Sequence, residues 1–324
     1  MNVLVTGGAG FIGSHLVERV LANTDWDIVV LDKLSYAAMG FDRLHQIGAL
    51  NNPRIKVLTH DLAFPMSEGI RREIGAVDYI FHLAAESHVV NSVVEPIEFI
   101  KSNVLGTGEL LEYARSLKSL RRFIYMSTDE VFGPAEYDKR FLPDDAHAPH
   151  NPYSATKSGG EQLAVGWAYS YKMPIQIIHC MNVFGERQHP EKFIPKAIGL
   201  LLAGKPVEVH TDPDGDIGAR TYIYAGDVAD LLIDVVMNPT GILKENIAGA
   251  AEISNLDMAR LIAETLGRHL EYKETSFTLG LSCHDNRYDL FPTLYPATTP
   301  AQQEQQLRDT ILWTVAHPEW LIPS

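Results

Sequence analysis

Cysteine and surplus positive charge are both scarce in this chain. Its 324 residues include only Cys180 and Cys283, which excludes a framework of several disulfide bonds and makes the reducing cytoplasm the expected location. Lysine and arginine number 27 against 41 acidic residues, which gives a formal net charge of -14. Binding to nucleic acid or to an anionic membrane surface is therefore not expected, because both require clustered positive charge.

Long apolar runs and metal-ligand spacing are lacking as well. No segment approaches the roughly 20 apolar residues that cross a bilayer, so no membrane partner is expected. The opening stretch MNVLVTGGAG is broken by glycine after a short apolar run, which is typical of a strand rather than a signal peptide. The histidines show no metal-ligand spacing, so we interpret them as packing or surface residues and expect no metal. These histidines are His82, His88, His147, His150 and His189.

What the chain does contain is an alternation of short β-branched runs with longer amphipathic stretches. This alternation predicts a Rossmann-type, doubly wound parallel sheet of the α/β class with a smaller C-terminal α/β lobe. Helices are predicted from Ser14, over 97–117 and 154–171, and from Asp227. Another is predicted from Ser254, with a capping box to Asp257 and a stop at Gly267. The predicted strands are 2–5, 28–31, 56–58, 79–83, 123–127 and 175–179.

The composition of the sequence changes near residue 180. Beyond it proline and glycine become frequent, and the predicted helices and strands are shorter. We therefore predict a first domain over 1–180 and a second lobe over 181–324. The apolar face of the helix from Asp227 favours packing on the first sheet, so the segment near 220–240 is expected to return to the first domain.

A glycine-rich turn follows the first predicted strand. Gly7, Gly10 and Gly13 form GxxGxxG between that strand and a helix, an order that lets backbone approach a pyrophosphate and aims helix amides at it. Asp32 ends the next strand and would bind ribose hydroxyls, which favours NAD over NADP, although Lys33 beside it weakens that preference. A tight turn with a solvated strand end is the alternative. Further predicted cofactor contacts are Phe11, Ile12, Asp61, Leu62, Leu83, Ala84, Ala85 and Ser127.

Tyr153 and Lys157 form a YxxxK pair after a strand that ends in Ser127 and Thr128. Positions four apart share a helix face, so the ammonium can lie near the phenol and lower its pKa, which would make Tyr153 a general base. Both residues would also contact the cofactor. With 13 tyrosines in the chain, an accidental pair on a surface helix is the alternative reading.

The order of these motifs resembles the extended short-chain dehydrogenase/reductase family. A narrower resemblance is carried by STDEVFG at 127–133, which is similar to STDEVYG of nucleoside-diphosphate-glucose 4,6-dehydratases. Adjacent Asp129 and Glu130 suit an elimination, since one carboxyl group donates a proton while the other removes one. An acid-rich helix N-terminus is the alternative for this pair. Phe132 stands where the family has tyrosine.

Three further segments extend the resemblance toward the substrate. HLAAESHVVNS at 82–92 is similar to HxAAESHVDxS, with Val90 in place of the acid and Asn91 in place of a frequent arginine. HCMNVFGERQHPEKFIP at 179–195 is similar to NCSNNYGPYxxPEKLIP, from which Met181 and Val183 depart. Arg220 aligns with IRDWLYVED, and 283–290 resembles GHDRRYAID. The implied substrate contacts are Ser87, His88, Asn182, Glu191, Lys192, Arg220, Arg287 and Tyr288.

The resemblance implies a function for this set. Tyr153 would take the proton of the sugar 4-hydroxyl while Thr128 hydrogen-bonds that oxygen and a hydride passes to NAD. Glu130 would then remove the C5 proton and Asp129 would protonate the departing 6-hydroxyl. Return of the hydride to C6 and of a proton to C5 would give a 4-keto-6-deoxy sugar. The 181–324 lobe would hold the nucleoside-diphosphate-glucose, with Arg220 and Arg287 on the diphosphate unless either forms a surface salt bridge.

Two other functions stay open at this point. A nucleotide-sugar 4-epimerase or decarboxylase would share the oxidation step without needing Asp129 and Glu130, and a catalytically silent protein would only bind NAD. Thymidine and uridine diphosphates are both plausible carriers of the sugar. The resemblance also implies a homodimer, formed through the helices at 97–117 and 154–171.

Overall fold

The fold is seen in a computed structural model that describes residues 1–136, 138–212, 214–276, 287–295 and 298–322. Strands are β1 Asn2–Thr6, β2 Asp27–Asp32, β3 Ile55–Thr59, β4 Tyr79–His82, β5 Arg122–Thr128, β6 Ile175–Cys180, β7 Val183–Phe184, β8 Val207–Thr211, β9 Ala219–Thr221, β10 Ile223–Tyr224, β11 Lys244–Ile247, β12 Glu252–Ser254 and β13 Tyr272–Ser276. α-Helices are α1 Phe11–Asn23, α2 Asp42–Gln46, α3 Glu68–Ile74, α4 Val89–Val94, α5 Pro96–Phe99, α6 Gly106–Arg115, α7 Pro152–Tyr171, α8 Phe193–Leu202, α9 Ala225–Met237, α10 Asn255–Thr265 and α11 Pro300–Ala316.

Seven parallel strands form the central sheet, in the order β11-β6-β5-β4-β1-β2-β3. Each of the six predicted strands agrees with an observed one to within one residue at either end. The chain winds outward from β1 in one direction through β2 and β3, and in the other through β4, β5 and β6. The predicted Rossmann-type fold is therefore confirmed, and ligands of such sheets bind at the carboxyl ends of the strands beside this reversal.

Helices cover both faces of the central sheet. One apolar core joins β1 and β2 to α1 and α9, with Leu16, Val20 and Leu232 fully buried in it. The other joins β4 and β5 to α6 and α7, with Leu110 and Ala164 at its centre. Because both faces are covered, the strands read as continuous apolar runs rather than as alternating ones.

Local signals set both ends of α10. The Ser254 hydroxyl accepts a hydrogen bond of 3.0 Å from the Asp257 amide at the start of α10, and Gly267 has a φ of 60° past its end, so the predicted start and stop are confirmed. α1 begins at Phe11, three residues before the predicted start at Ser14.

The helix predicted over 97–117 is not regular. A π-helical segment, Ile100–Leu105, separates α5 from α6. Within it the buried Asn103 side chain donates hydrogen bonds of 2.9 Å to the Glu86 carbonyl and 3.0 Å to the Thr156 hydroxyl. These contacts turn Asn103 toward the loop after β4, and apolar periodicity carries no signal of such a polar anchor.

After residue 180 the chain builds a smaller unit and twice returns to the central sheet. Pairs β7 with β10, β9 with β12 and β8 with β13 are short, and α8, α10 and α11 enclose a separate apolar core around Ile198, Met258 and Ile311. α9 packs on the sheet and β11 extends it. Within the described ranges no helix is both long and apolar enough to span a membrane.

Candidate active site

A cleft of about 720 Å³ lies over the carboxyl ends of the central strands, between the sheet and the smaller unit. Every predicted catalytic and cofactor residue lines it. Of the predicted substrate residues, Ser87, His88, Asn182, Glu191, Lys192, Arg220 and Tyr288 line it, whereas Arg287 does not. The tertiary structure thus brings together residues from both halves of the chain.

The glycine turn has the shape of a cradle for a dinucleotide. Gly7 has a φ of 73°, and a Cβ there would lie 2.6 Å from the Ala84 nitrogen; a Cβ on Gly13 would lie 2.1 Å from the Gly7 carbonyl oxygen. Side chains at these positions are sterically excluded, so the backbone stays bare on the cleft side at the N-terminus of α1. These features fit the pyrophosphate of NAD.

Asp32 ends β2 at the rim of this cradle and is largely buried. Its carboxylate accepts hydrogen bonds of 3.0 Å from the Ala9 amide and 2.8 Å from the Leu34 amide. Burial raises the pKa of Asp32, while these two amides work in the opposite direction. Lys33 pairs with Glu86 at 2.8 Å, so its ammonium already has a carboxylate partner.

Thr128 and the two carboxyl groups after it form one compact unit at the end of β5. The Thr128 hydroxyl donates a hydrogen bond of 2.9 Å to Asp129 Oδ1, while Asp129 Oδ2 has no hydrogen-bond partner within the described part of the chain. Glu130 Oε2 accepts a hydrogen bond of 3.0 Å from the Asn151 side chain. Hydrogen bonds of ordinary length from neutral donors hold both groups without neutralising them.

The pKa values of this carboxyl pair lie near neutrality. Burial raises the pKa of Asp129 to about 6, against the hydrogen bond from Thr128 and the charge of Arg220. Burial and the neighbouring Asp129 raise the pKa of Glu130 to about 7. A pair of this kind exchanges protons at ordinary pH, which is the property required of a general acid and base.

Tyr153 and Lys157 lie on α7 at the edge of the cleft. The Lys157 ammonium donates a hydrogen bond of 2.6 Å to the Met126 carbonyl, and burial lowers its pKa to about 8. The expected lowering of the phenol pKa is not seen, because burial and the nearby Glu130 raise the pKa of Tyr153, against a hydrogen bond with Thr128. The structure directs the ammonium toward the β5 backbone rather than the phenol.

The substrate side of the cleft combines charges of both signs. Glu191 lies 3.8 Å from His88 Nε2 and 3.7 Å from Lys192 Nζ. The Arg220 guanidinium stacks over the Tyr288 ring at 4.8 Å, and its charge lowers the pKa values of the carboxyl pair. Arg220 and Lys192 therefore place positive charge near Asp129 and Glu130.

Positions that depart from the resembled motifs fall in different surroundings. Val90, Met181 and Val183 line the cleft. Phe132 is buried in the apolar core behind it, with its ring 4.8 Å from that of His179. Asn91 donates a hydrogen bond of 3.0 Å to the Tyr36 hydroxyl.

Arg287 requires a correction to the substrate set. Its guanidinium donates hydrogen bonds of 2.7 Å to Glu252 and 2.6 Å to Asp289, and one of 2.7 Å to the Glu136 carbonyl. Arg287 thus links Glu136, Glu252 and Asp289 outside the cleft lining. The carboxylates of Glu252 and Asp289 compensate the charge of its guanidinium. The first part of the motif that suggested its role, 283–286, including Cys283, lies outside the described residues.

Several cleft residues were not predicted from the sequence. Cys180, Lys196, Glu208, His210, Tyr222 and Asn255 are among them. Beneath the cleft floor, His147, Glu161 and His179 place their side-chain nitrogen and oxygen atoms within 4.8 Å of one another. Glu161 could have been noticed, because it lies one helical turn after Lys157 on the same face.

The chain matches a known protein family over most of its length. Residues 3–248 match the model of the NAD dependent epimerase/dehydratase family. The chain belongs to this family. The predicted resemblance to nucleotide-glucose 4,6-dehydratases is confirmed by the similarities that follow.

The chain is 36% identical over 326 residues to the trifunctional UDP-glucose 4,6-dehydratase, UDP-4-keto-6-deoxy-D-glucose 3,5-epimerase and UDP-4-keto-L-rhamnose reductase of Arabidopsis thaliana. The alignment covers 98% of this chain but 48% of that protein, so the chain spans about half the length of that relative. It is 32% identical over 347 residues to the dTDP-glucose 4,6-dehydratase of Escherichia coli, with 99% and 94% of the two chains covered.

Among solved structures, the dTDP-glucose 4,6-dehydratase of Streptomyces venezuelae with NAD bound superimposes with a TM-score of 0.87 at 30% identity, over 100% of this chain and 99% of the other. This similarity over the full length of the chain agrees with its sheet order, its glycine cradle and the cleft between its two units.

Proposed function

We propose that this member of the epimerase/dehydratase family dehydrates a nucleoside-diphosphate-glucose to the 4-keto-6-deoxy sugar, with NAD as cofactor. The observation that carries the proposal is the placement of Asp129 and Glu130, with pKa values near neutrality, in one cleft with Thr128, Tyr153 and Lys157. An oxidation alone does not require two such carboxyl groups, whereas elimination of water does.

The cofactor would be held by the glycine cradle and by Asp32. NAD, when bound, accepts the hydride of the sugar and returns it. The chain's own residues handle the protons. Tyr153 takes the proton of the 4-hydroxyl and Thr128 donates a hydrogen bond to that oxygen, while Lys157, one helical turn further along α7, contributes positive charge to the same cleft.

The elimination uses the carboxyl pair. A ketone at C4 acidifies the hydrogen on C5, so ionised Glu130 can remove it, while the protonated Asp129 delivers its proton to the departing 6-hydroxyl as water. Asn151 donates a hydrogen bond to the Glu130 carboxylate, and Thr128 donates its single hydroxyl proton to Asp129. Once Asp129 is protonated it can donate to the Thr128 oxygen instead, which frees the Thr128 proton for the sugar 4-oxygen. Glu130 has the higher pKa of the pair, about 7 against about 6 for Asp129, so a proton shared by the pair resides mainly on Glu130 and must pass to Asp129 before the elimination.

On the substrate side, Arg220 and Lys192 supply the positive charge that a diphosphate needs, and Asn182, Glu191 and His88 supply polar contacts to the sugar. Arg287 is left out of this set because of its carboxylate partners. Thymidine and uridine diphosphates both remain candidate carriers.

The direct test is incubation of the purified protein with dTDP-glucose and, separately, with UDP-glucose, followed by mass spectrometry of the nucleotide sugar. Loss of one water, roughly 18 mass units, without net formation of NADH is expected, because the cofactor returns its hydride. Unchanged mass together with epimerisation in the NMR spectrum would overturn the proposal in favour of a 4-epimerase. No reaction with any nucleotide sugar, despite NAD binding, would favour a silent NAD-binding protein.

Two amide variants sharpen the test. Asp129→Asn and Glu130→Gln should each reduce dehydration by about 10²-fold or more, the scale of general acid–base catalysis, while reversible oxidation at C4 persists. Tyr153→Phe is the matched control and should lose both steps. A 4-epimerase would tolerate the amide variants.

The remaining parts of the proposal concern assembly and organisation. We divide the chain into an NAD-binding domain over 1–180, which also receives α9 and β11, and a sugar-binding lobe over 181–324. Large apolar side chains are exposed in the segment 97–117 and on α7, including Ile97, Leu105 and Tyr169, and support a homodimer formed through the helices at 97–117 and 154–171. The low cysteine content supports a cytoplasmic location.

A further inference from the structure

A buried charged cluster lies directly beneath the catalytic residues. Glu161, on α7, has a fully buried side chain. Its Oε2 accepts a hydrogen bond of 2.7 Å from the Ser127 hydroxyl and lies 3.0 Å from His179 Nε2. Its Oε1 lies 3.0 Å from Lys244 Nζ and 3.2 Å from His147 Nε2. One carboxylate therefore joins β5, β6, β11 and the segment before α7.

His179 is held by polar contacts at both ring nitrogens. Nε2 faces the Glu161 carboxylate, and Nδ1 lies 2.9 Å from Asn246 Oδ1. The Asn246 amide is oriented by hydrogen bonds from its Nδ2 to the Phe141 and Phe291 carbonyls. Both ring nitrogens of His179 thus lie beside oxygen atoms that can accept a hydrogen bond.

Glu161 is ionised within this cluster. Burial alone would raise its pKa, but hydrogen bonds from His147 and His179 outweigh burial and hold the pKa below its usual range. The Lys244 ammonium already lies 3.0 Å from the carboxylate, so a divalent metal ion at this position would meet a positive charge. We assign no metal to this cluster.

The cluster is mechanically connected to the catalytic residues. Ser127, which donates to Glu161, lies between Met126 and Thr128 on β5. The Met126 carbonyl accepts the hydrogen bond of Lys157, and the Tyr125 hydroxyl donates one of 3.0 Å to the Lys157 carbonyl. The end of β5 is thus held against α7 at three consecutive residues.

The charge of Glu161 in this cluster also acts on Lys157. Lys157 is buried beside the Tyr125 ring, 4.4 Å from its centre, and lines the same cleft as Tyr153. Burial lowers the pKa of Lys157 to about 8, and Glu161 is the charged group that raises it. Charges interact strongly in such a poorly solvated interior. Without Glu161 the ammonium would lose its proton closer to neutrality.

We propose that Glu161 is a positioning residue for the Tyr153 and Lys157 pair, whose carboxylate fixes Ser127 against α7 and keeps the Lys157 side chain protonated at the pH where the protein works. This inference rests on the proposed function, because it assigns Lys157 a role in that reaction. Lys244 acts on the same carboxylate in the opposite sense, since its charge offsets that of Glu161.

The test is the pH profile of kcat/KM for dehydration, measured with the NAD-loaded protein and the nucleotide-glucose that the wild type accepts. Glu161→Gln should move the basic limb to lower pH by about one unit, the scale of a single buried charge partner. Glu161→Asp retains the charge and should leave that limb near its wild-type position. Lys244→Met should move the limb in the opposite direction, to higher pH.

These opposite shifts separate an electrostatic role from a loss of folding. A purely structural role would lower kcat and the melting temperature without moving the basic limb, and that result in Glu161→Gln would overturn the inference. If Glu161→Gln does not fold, Lys244→Met decides alone, and a limb that stays in place or moves downward overturns it. A wild-type protein without dehydration would overturn the proposed function and this inference with it, whereas wild-type dehydration with unshifted limbs overturns the inference only.

Discussion

Asn151 links the start of α7 to Glu130. Its Nδ2 donates a hydrogen bond of 3.0 Å to Glu130 Oε2, and its Oδ1 accepts one of 2.8 Å from the Ser154 amide. The same side chain therefore caps the helix that carries Tyr153 and Lys157 and orients one member of the carboxyl pair. Helix capping and the placement of a proposed catalytic base are coupled at this residue.

Replacing Asn151 by serine should separate these two roles. Serine caps helices as well as asparagine does but is too short to reach Glu130. Because the Asn151 hydrogen bond lowers the pKa of Glu130, its loss should raise that pKa and move the acidic limb of kcat/KM to higher pH by about half a unit or more. The melting temperature should stay close to that of the wild type.

Asn151→Ala is the comparison variant, since it loses the cap as well and should cost about 1 kcal/mol of stability. If the acidic limb of kcat/KM stays at the same pH in both variants, the ionisation of Glu130 does not produce that limb.

The carboxyl pair should reduce stability as pH rises. Folding raises the pKa values of Asp129 and Glu130 to about 6 and 7, so the folded state retains protons that the unfolded chain loses above about pH 4. The contribution of this pair to the free energy of unfolding is fully present below the pKa values of the unfolded chain, and it is lost as pH rises through the pKa values of the folded state. Asp129→Asn and Glu130→Gln should each gain on the order of 2 to 3 kcal/mol relative to the wild type above pH 7, and the gain should shrink toward pH 4.

Denaturant unfolding at pH 5 and pH 8 measures this gain. Glu73→Gln is the control, because Glu73 is exposed and the hydrogen bond from Lys56 lowers its pKa, so no gain at high pH is expected. Equal stability of wild type and amide variants at pH 8 would contradict the burial of an ionisable pair.

The glycine cradle should tolerate no side chain. Gly7→Ala would place a Cβ against Ala84 in a left-handed backbone, and Gly13→Ala would place one against Gly7. Each should weaken NAD binding by about tenfold or more, equivalent to ~1.4 kcal/mol. Gly166→Ala is the matched control on α7, where a Cβ meets nothing within 4 Å, and should leave the Kd for NAD unchanged. Calorimetry on cofactor-free protein gives these Kd values.

The proposed dimer should dissociate when charge enters the exposed apolar positions of the segment 97–117. Ile97 is 59% exposed and Leu105 is 48% exposed, and Ile97→Lys or Leu105→Lys should give a monomer because an unpaired lysine in an apolar interface is costly. Ile242→Lys, at a position 51% exposed between α9 and β11, should leave the assembly intact. Light scattering reports the mass of each variant. A monomeric wild type would remove the dimer from the proposal.

The features that the sequence predicted well depend on short stretches of chain. The glycine turn, the YxxxK pair and the cap at Ser254 are set by backbone geometry over a few residues. The six strands were located to within one residue because buried parallel strands are continuous apolar runs bounded by polar turns.

Other features were decided only when distant segments met. The pKa of Tyr153 is raised rather than lowered because burial and Glu130 surround the phenol. Arg287 binds Glu252 and Asp289 instead of lining the cleft, a pairing that a motif with two arginines does not reveal.

By itself, then, the sequence determined the family, the order of the strands along the chain and the candidate catalytic and cofactor residues that line the cleft, since these follow from local spacing and apolar patterning. The tertiary structure alone decided the cluster of Glu161, His179, His147 and Lys244, because it joins side chains from four separate segments. Charges and protons depend on burial and on neighbours across the fold, and neither is written in the spacing of residues along the chain.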